Sequence, residues 1–192
     1  MKNYFEIPEL TFNQKQLQSV FENNQNEWAV YGTHKDKSLH TQYVSLDNDV
    51  IKNIIKQFKD QSIIENIKFF KTLSNGEVTP HTDKRNVAIN IPVIVDDNSY
   101  TSFYKQKDEF ETPTITVGNK TQNVNAKKFI KGEILETVYL KQALCLNTSM
   151  PHGVTNKGNK DRVILSISFK NEYDNFEIIK KLYDTGNLTR TK

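Results

Sequence analysis

The sequence predicts a mainly β fold, a β-sandwich or jelly roll flanked by helices, and three observations carry that prediction. Two helix-period segments lie near the N-terminus. A series of short period-two segments fills the middle, and one more helical segment closes the chain. Helices do not alternate one-for-one with strands, so the pattern does not read as βαβ units. At 192 residues the chain can bury a real core and reads as a single domain. Its expected parts are a helical N-terminal region over about 1–60, a jelly-roll core over about 67–170 and a C-terminal helix over about 174–184.

Phe12 to Asn23 reads as a short helix with Leu17, Val20 and Phe21 on one face and Thr11 placed to cap it. Trp28 to Tyr31 is a short strand, its aromatic residues expected to pack in the core or a lid. His34 and His40 fall in a polar stretch and read as loop residues. Asp47 to Phe58 is the clearest helix, with Val50, Ile51, Ile54, Ile55 and Phe58 forming a stripe at i, i+3, i+4 spacing. Period two then takes over. Ile67 to Leu73 is strand-like and ends at a Ser74-Asn75-Gly76 turn. Further strands are expected at Asn86 to Val93, Tyr100 to Tyr104, Pro113 to Val117, Ile134 to Leu140, Leu144 to Leu146 and Arg162 to Phe169. Phe70 and Tyr104 read as core residues that would otherwise line a pocket. A last helix covers Asn175 to Tyr183, with Phe176, Ile179, Leu182 and Tyr183 inward.

Twenty-six basic and 23 acidic residues give a formal charge of +3 and are interspersed. No dense basic stripe predicts nucleic acid as a partner; Lys120 to Lys131, with Lys127 and Lys128 adjacent, reads as a solvated loop. Cys145 is the only cysteine, so no intrachain disulfide can form, and a reducing, cytoplasmic setting is expected. Met1 to Leu10 lacks an apolar signal segment, and no apolar run approaches a membrane span. Oligomeric state is not legible at this stage.

Two of the four histidines sit in informative places. His81-Thr82-Asp83 follows Pro80, and in extended chain residues i and i+2 share a side, so His81 and Asp83 can meet one ion. His152 lies in Met150-Pro151-His152-Gly153-Val154, shortly before the last long strand. Two imidazoles and one carboxylate on one face of a metal leave three positions open, a facial triad that suits Fe(II). Arg162 stands ten positions after His152 and opens the strand Arg162 to Phe169. Alternation there puts Val163, Leu165, Ile167 and Phe169 on one face, and Arg162, Ile164, Ser166 and Ser168 on the other. A buried arginine in such a strand needs an anionic partner, and its planar fork fits a carboxylate. At the surface it would instead pair with Asp161 or Glu133.

H-x-D, a distant His and an Arg ten residues further on resemble the double-stranded β-helix family of 2-oxoglutarate- and Fe(II)-dependent oxygenases. The similarity spans roughly Ile67 to Phe169. Within it, His81 to Val93 and Leu146 to Phe169 are similar to the aspartyl/asparaginyl β-hydroxylase and prolyl-hydroxylase-like branches. The resemblance implies a cupin-like double-stranded β-helix in which His81, Asp83 and His152 ligate iron. Arg162 would bind the distal carboxylate of 2-oxoglutarate, with the Ser166 hydroxyl as helper, and no catalytic residue beyond the metal ligands is implied. A polar side chain nine positions after the first ligand histidine holds the co-substrate in the β-hydroxylase branch; here that is Asn90. Alternation counted from Asp83 turns Asn90 outward unless a bulge intervenes, and Arg85 competes for the role. Many aspartyl/asparaginyl β-hydroxylases lack the carboxylate ligand that Asp83 supplies, which leaves the branch and the primary substrate open. The implied reaction uses O2 and 2-oxoglutarate to hydroxylate an unactivated C–H, releasing succinate and CO2. The alternative is a metal-binding cupin-like isomerase or binding module that ignores 2-oxoglutarate.

Overall fold

The computed structural model describes residues 2–32, 39–106, 109–111, 114–117, 120–123 and 127–190. Strand β1 (Tyr4–Glu6) is followed by helix α1 (Gln14–Glu22), β2 (Ala29–Gly32), β3 (Leu39–Tyr43) and α2 (Asp49–Ile55). Four long strands come next: β4 (Ile64–Thr72), β5 (Glu77–Thr82), β6 (Val87–Ile94) and β7 (Ser99–Tyr104). Four short ones form an insertion: β8 (Glu109–Glu111), β9 (Thr114–Val117), β10 (Lys120–Asn123) and β11 (Lys127–Phe129). The chain ends with β12 (Ile134–Val138), β13 (Leu144–Asn147), β14 (His152–Asn156), β15 (Arg162–Phe169) and helix α3 (Phe176–Asp184).

All strand pairs are antiparallel. One sheet runs β1-β13-β6-β15-β4-β3-β2-β9-β10, the other β12-β7-β14-β5-β11-β8. The eight strands β4 to β7 and β12 to β15 pass back and forth between the sheets, so that β4, β15, β6 and β13 face β5, β14, β7 and β12. That winding is the double-stranded β-helix, and the expected jelly roll flanked by helices is borne out. The insertion extends both sheets: β9 and β10 lengthen the larger beyond β2, while β11 and β8 continue the smaller beyond β5.

The N-terminal region is not only helical, because β1, β2 and β3 join the larger sheet. Strand β3 replaces the expected polar loop at His40; its sequence Leu-His-Thr-Gln-Tyr shows no apolar alternation, and its fully buried positions are the polar Thr41 and Gln42. His34 and Pro113 lie outside the described residues. Helix α1 is capped by Asn13, whose Oδ1 accepts from the Gln16 N–H at 3.1 Å; Thr11 bonds to Gln57 instead. Helix α2 is capped by Asn48 and stops at Ile55, and Phe58 beyond it makes an isolated bridge to Thr189. The Ser74-Asn75-Gly76 turn is as expected, with Asn75 in the left-handed region at φ 53°.

The strand alternation sorts two cores. Val163, Leu165, Ile167 and Phe169 of β15 face the helices, packing with Ile51, Ile54, Phe58, Phe69 and Phe176. Each such fully buried side chain contributes about 1.5–3 kcal/mol. Ile164 faces the other way, into a smaller cluster between the sheets with Phe103, Leu144 and Leu146, against which Phe70 packs. This inter-sheet space is where the polar residues of β15 also project.

Candidate metal centre

His81 ends β5 and His152 begins β14, and the two are direct cross-strand partners. Their rings lie 4.5 Å apart between centroids. The register slips by one between His152 and Val154, because β5 carries an extra residue there: Thr79 and Pro80 bulge opposite the single Gly153. A Cβ at Gly153 would stand 2.7 Å from the Val78 carbonyl oxygen, so glycine lets β14 approach β5 this closely. Asp83 lies just past β5, and its N–H donates to the Thr148 carbonyl at 3.1 Å. Thr148 also bonds through Oγ1 to the Arg85 carbonyl, and Asp174 receives the N–H groups of Asn86 and Val87. The segment from Asp83 to Asn86 is therefore fastened from two directions.

One nitrogen or oxygen from each of His81, Asp83 and His152 lies within 4.8 Å of the others. The Nδ1 of His81 is 2.8 Å from the Thr79 carbonyl oxygen, and the Nδ1 of His152 is 2.9 Å from that of Met150. A carbonyl only accepts, so Nδ1 carries the proton in both rings and each Nε2 offers a lone pair. His81 Nε2 lies 3.5 Å from Asp83 Oδ1. Two lone pairs and a carboxylate oxygen thus face one small space with no proton to share, a donor set that could hold a divalent cation in facial geometry.

Electrostatics agree with that arrangement. Burial raises the Asp83 carboxyl, but opposing charge, the Arg85 guanidinium foremost, outweighs it and holds the group well below the usual carboxylate range. Burial, helped by His81, pushes His152 down to about 4, so its imidazole is neutral at physiological pH. Arg85 Nε donates to Asp83 Oδ2 at 3.0 Å, and its guanidinium lies 4.9 Å over the Phe70 ring. Arg85 fixes one carboxylate oxygen, leaving Oδ1 turned toward the histidines. Phe103, fully buried, sets its ring 6.1 Å from that of His152 and walls the site. Its inward place in the Tyr100 to Tyr104 alternation was a readable signal for this role.

Arg162 lies on the inter-sheet face of β15, in step with Ile164 and Ser166. Its residue is 4% exposed, its Nε has no hydrogen-bond partner, and burial lowers its pKa to about 10. Neither Asp161 nor Glu133 serves it: Asp161 Oδ1 accepts from the Ser74 N–H and Oδ2 lies 3.9 Å from Lys71 Nζ. Ser166 Oγ donates to Asn90 Oδ1 at 2.5 Å in a fully buried bond. Asn90 faces inward, against the alternation counted from Asp83, because residues 83–86 leave the strand and the count restarts at Val87. Tyr104 does not line the inter-sheet space. Its ring packs on the opposite face, within 3.3 Å of a Cβ placed on Gly153. Trp28 packs on Phe21 with the Lys71 ammonium 4.6 Å from its ring, and the Tyr31 side chain lies outside the described residues.

No protein-family model matches the sequence, and no curated protein is significantly similar to it. Solved structures do share the fold. SnoN, a non-heme alpha ketoglutarate dependent epimerase from nogalamycin biosynthesis, superposes with a TM-score of 0.53 at 8% identity, covering 86% of this chain and 77% of SnoN. That structure is a complex with Fe3+, alpha ketoglutarate and nogalamycin RO. E. coli ycfD superposes with a TM-score of 0.50 at 10% identity over 88% of this chain, which spans half the length of ycfD. The structural neighbours thus include a 2-oxoglutarate-dependent non-haem iron enzyme. Among the described residues no helix is long and apolar enough to cross a membrane.

Proposed function

We propose that this chain is an Fe(II)- and 2-oxoglutarate-dependent dioxygenase, a hydroxylase of an amino-acid side chain in a protein or peptide, or of a small molecule. The observation that carries the reading is Arg162. A buried guanidinium whose Nε has no partner is costly to keep, and strand alternation turns it to the inter-sheet side of β15, toward the sheet whose β5 and β14 carry His81 and His152. A dicarboxylate that chelates a metal with its keto-acid end needs a fixed cation for its other end, and a guanidinium fork supplies one. A metal-binding isomerase or binding module that ignores 2-oxoglutarate has no use for that cation.

His81 Nε2, Asp83 Oδ1 and His152 Nε2 would hold the iron, with Arg85 keeping the carboxylate from rotating. Arg162 would bind the distal carboxylate of 2-oxoglutarate, with Ser166 and Asn90 beside it. When bound, ferrous iron with 2-oxoglutarate and O2 supplies the oxidising power for hydroxylation, releasing succinate and CO2. The protein's share is to orient both acids and keep water out, and Phe103, Phe70 and Ile164 give the inter-sheet space its apolar walls. The test is anaerobic titration of the Fe(II)-loaded protein with 2-oxoglutarate. The expected result is a weak visible charge-transfer band, with slow succinate formation on admitting air. Tight Fe(II) binding without that band would overturn the assignment in favour of a cupin-like protein that ignores 2-oxoglutarate.

A further inference from the structure

Among the described residues, the inter-sheet faces of β6, β15, β4 and β3 carry two cations and no carboxylate. The two lie toward opposite ends of the sandwich. Arg162 pairs with Thr72, beside the Ser74-Asn75-Gly76 turn that closes one end. Lys68 stands four residues back along β4, about 13 Å nearer the end at which β5 finishes with His81 and Thr82. Phe70 sits between them on the same face, and the Arg85 guanidinium that holds Asp83 lies 4.9 Å over its ring. The carboxylate ligand is thereby tied to the level of Phe70, between the two cations.

Lys68 has Ser166 opposite it on one side and Tyr43 on the other. Its ammonium lies 4.2 Å from the Tyr43 ring centroid, so the side chain leans toward β3, away from β15 and Arg162. A ring face attracts a cation but leaves its N–H groups free to donate. Among the described residues no carboxylate pairs with Lys68, and neither its Nζ nor the Tyr43 hydroxyl has a hydrogen-bond partner. The Tyr43 carbonyl accepts from Asn24 Nδ2 and Asn26 Nδ2, each at 2.8 Å, which fixes the end of β3 while the residue stays 57% exposed. One charged and one neutral donor are thus presented side by side at the metal end of the inter-sheet space.

A carboxylate or phosphate accepts from an ammonium and a phenol together, whereas a cationic group is repelled there. Resting on the oxygenase reading above, we propose that the primary substrate carries an oxyanion, carboxylate or phosphate, which Lys68 and Tyr43 hold on the side of the metal away from Arg162. Two anions then share the site, each with its own cation.

The test uses the Zn(II)-loaded chain saturated with 2-oxoglutarate, so that the metal and Arg162 are occupied. The Tyr43 amide is followed by NMR during titration with inorganic phosphate, acetate or neutral acetamide. Phosphate or acetate should give a saturable shift with half-saturation at about 1–10 mM, and the tighter of the two names the acid. Acetamide should give none. Lys68→Met should weaken that binding more than about 10-fold, and Lys68→Arg should retain it. The charge-transfer band of Fe(II)-loaded Lys68→Met should need no more 2-oxoglutarate than the wild type. The proposal is overturned if neither anion saturates, if acetamide matches them, or if Lys68→Met binds them as the wild type does. A raised 2-oxoglutarate requirement in Lys68→Met also overturns it, assigning the lysine to the co-substrate. All these failures leave the wild-type band in place, whereas its absence strikes the oxygenase reading and this proposal with it.

Discussion

His81, Asp83 and His152 on one side and Arg162 on the other are all polar groups in or beside the inter-sheet space, yet the fold treats them in opposite ways. At the triad nearly every polar atom has a partner. Backbone carbonyls hold both Nδ1 atoms, Arg85 holds Asp83 Oδ2, and only the three converging donors are left facing one another. Arg162 has nothing comparable; its Nε is orphaned and burial alone acts on its charge. The first region offers three donors that could hold a cation. The second buries a charge whose Nε has no partner, so the fold itself bears that cost.

The largest effect should come from breaking the triad. His152→Ala should lower Fe(II) affinity, read by calorimetry with Co(II) as a stable surrogate, by more than about 100-fold. That exceeds the 10–100-fold typical of losing an outer-shell partner. Succinate formation should vanish with it, and normal turnover would remove the iron assignment.

Arg162→Met sharpens the contrast because it should move two quantities in opposite directions. The 2-oxoglutarate concentration for half-saturation should rise roughly 30- to 1,000-fold, the 2–4 kcal/mol worth of a desolvated charge partner. The apo protein should become more stable. Folding depresses the Arg162 pKa from the ordinary arginine range to about 10, so the charged form is penalised in the folded state. That penalty is present in full below about pH 10 and lifts only as pH climbs from there toward the ordinary arginine range, leaving no pH dependence near neutrality. At 1.36 kcal/mol per unit it amounts to about 3 kcal/mol. Thermal melts should show a raised midpoint for apo Arg162→Met, and 2-oxoglutarate with Co(II) should stabilise only the wild type. A lowered apo midpoint would show that the arginine has partners within the fold.

How much of this could be read from the residues alone follows the same division. His81-x-Asp83 is legible because period two forces i and i+2 together, and Arg162 because its strand alternates cleanly to Phe169. Alternation counted from Asp83 turns Asn90 outward because such a count is only as good as its starting point, and the turn at residues 83–86 resets it; the position nine residues after His81 points to Asn90 without that count. Arg85 reads from the sequence as a competing co-substrate candidate; coordinates add that its Nε holds Asp83 Oδ2 at 3.0 Å while Oδ1 faces His81, so one carboxylate is divided between two partners. Strands β3, β10 and β11 escaped because their sequences are polar, so pairing rather than burial pattern defines them. Caps shifted by two residues at α1, where Thr11 and Asn13 offer equivalent chemistry and only the Gln57 contact separates them.

Arg85→Gln tests that divided carboxylate from the outer side. It leaves all three ligands in place and frees Asp83 Oδ2, so metal affinity should fall about 10–100-fold. The co-substrate requirement measured at saturating metal should stay near wild type, opposite to the Arg162 result. A raised 2-oxoglutarate requirement at saturating metal would return Arg85 to the co-substrate.

The smallest effect is expected between the two regions, at Ser166. Its hydroxyl is the donor to Asn90 Oδ1 in a buried bond of 2.5 Å. Ser166→Ala strands that acceptor, which costs about 1–3 kcal/mol by urea unfolding, while metal affinity should not change. Ser168→Ala on the same face of β15 is the control. Its bond to the Asn66 carbonyl, at 3.2 Å, is only partly buried, so water can replace it and the loss should stay below that of Ser166. If the two substitutions cost the same, the Asn90–Ser166 pair is ordinary strand packing. If Ser166→Ala costs more and also weakens 2-oxoglutarate binding, the pair belongs with Arg162, as a polar group whose arrangement is set for an anion rather than for the fold.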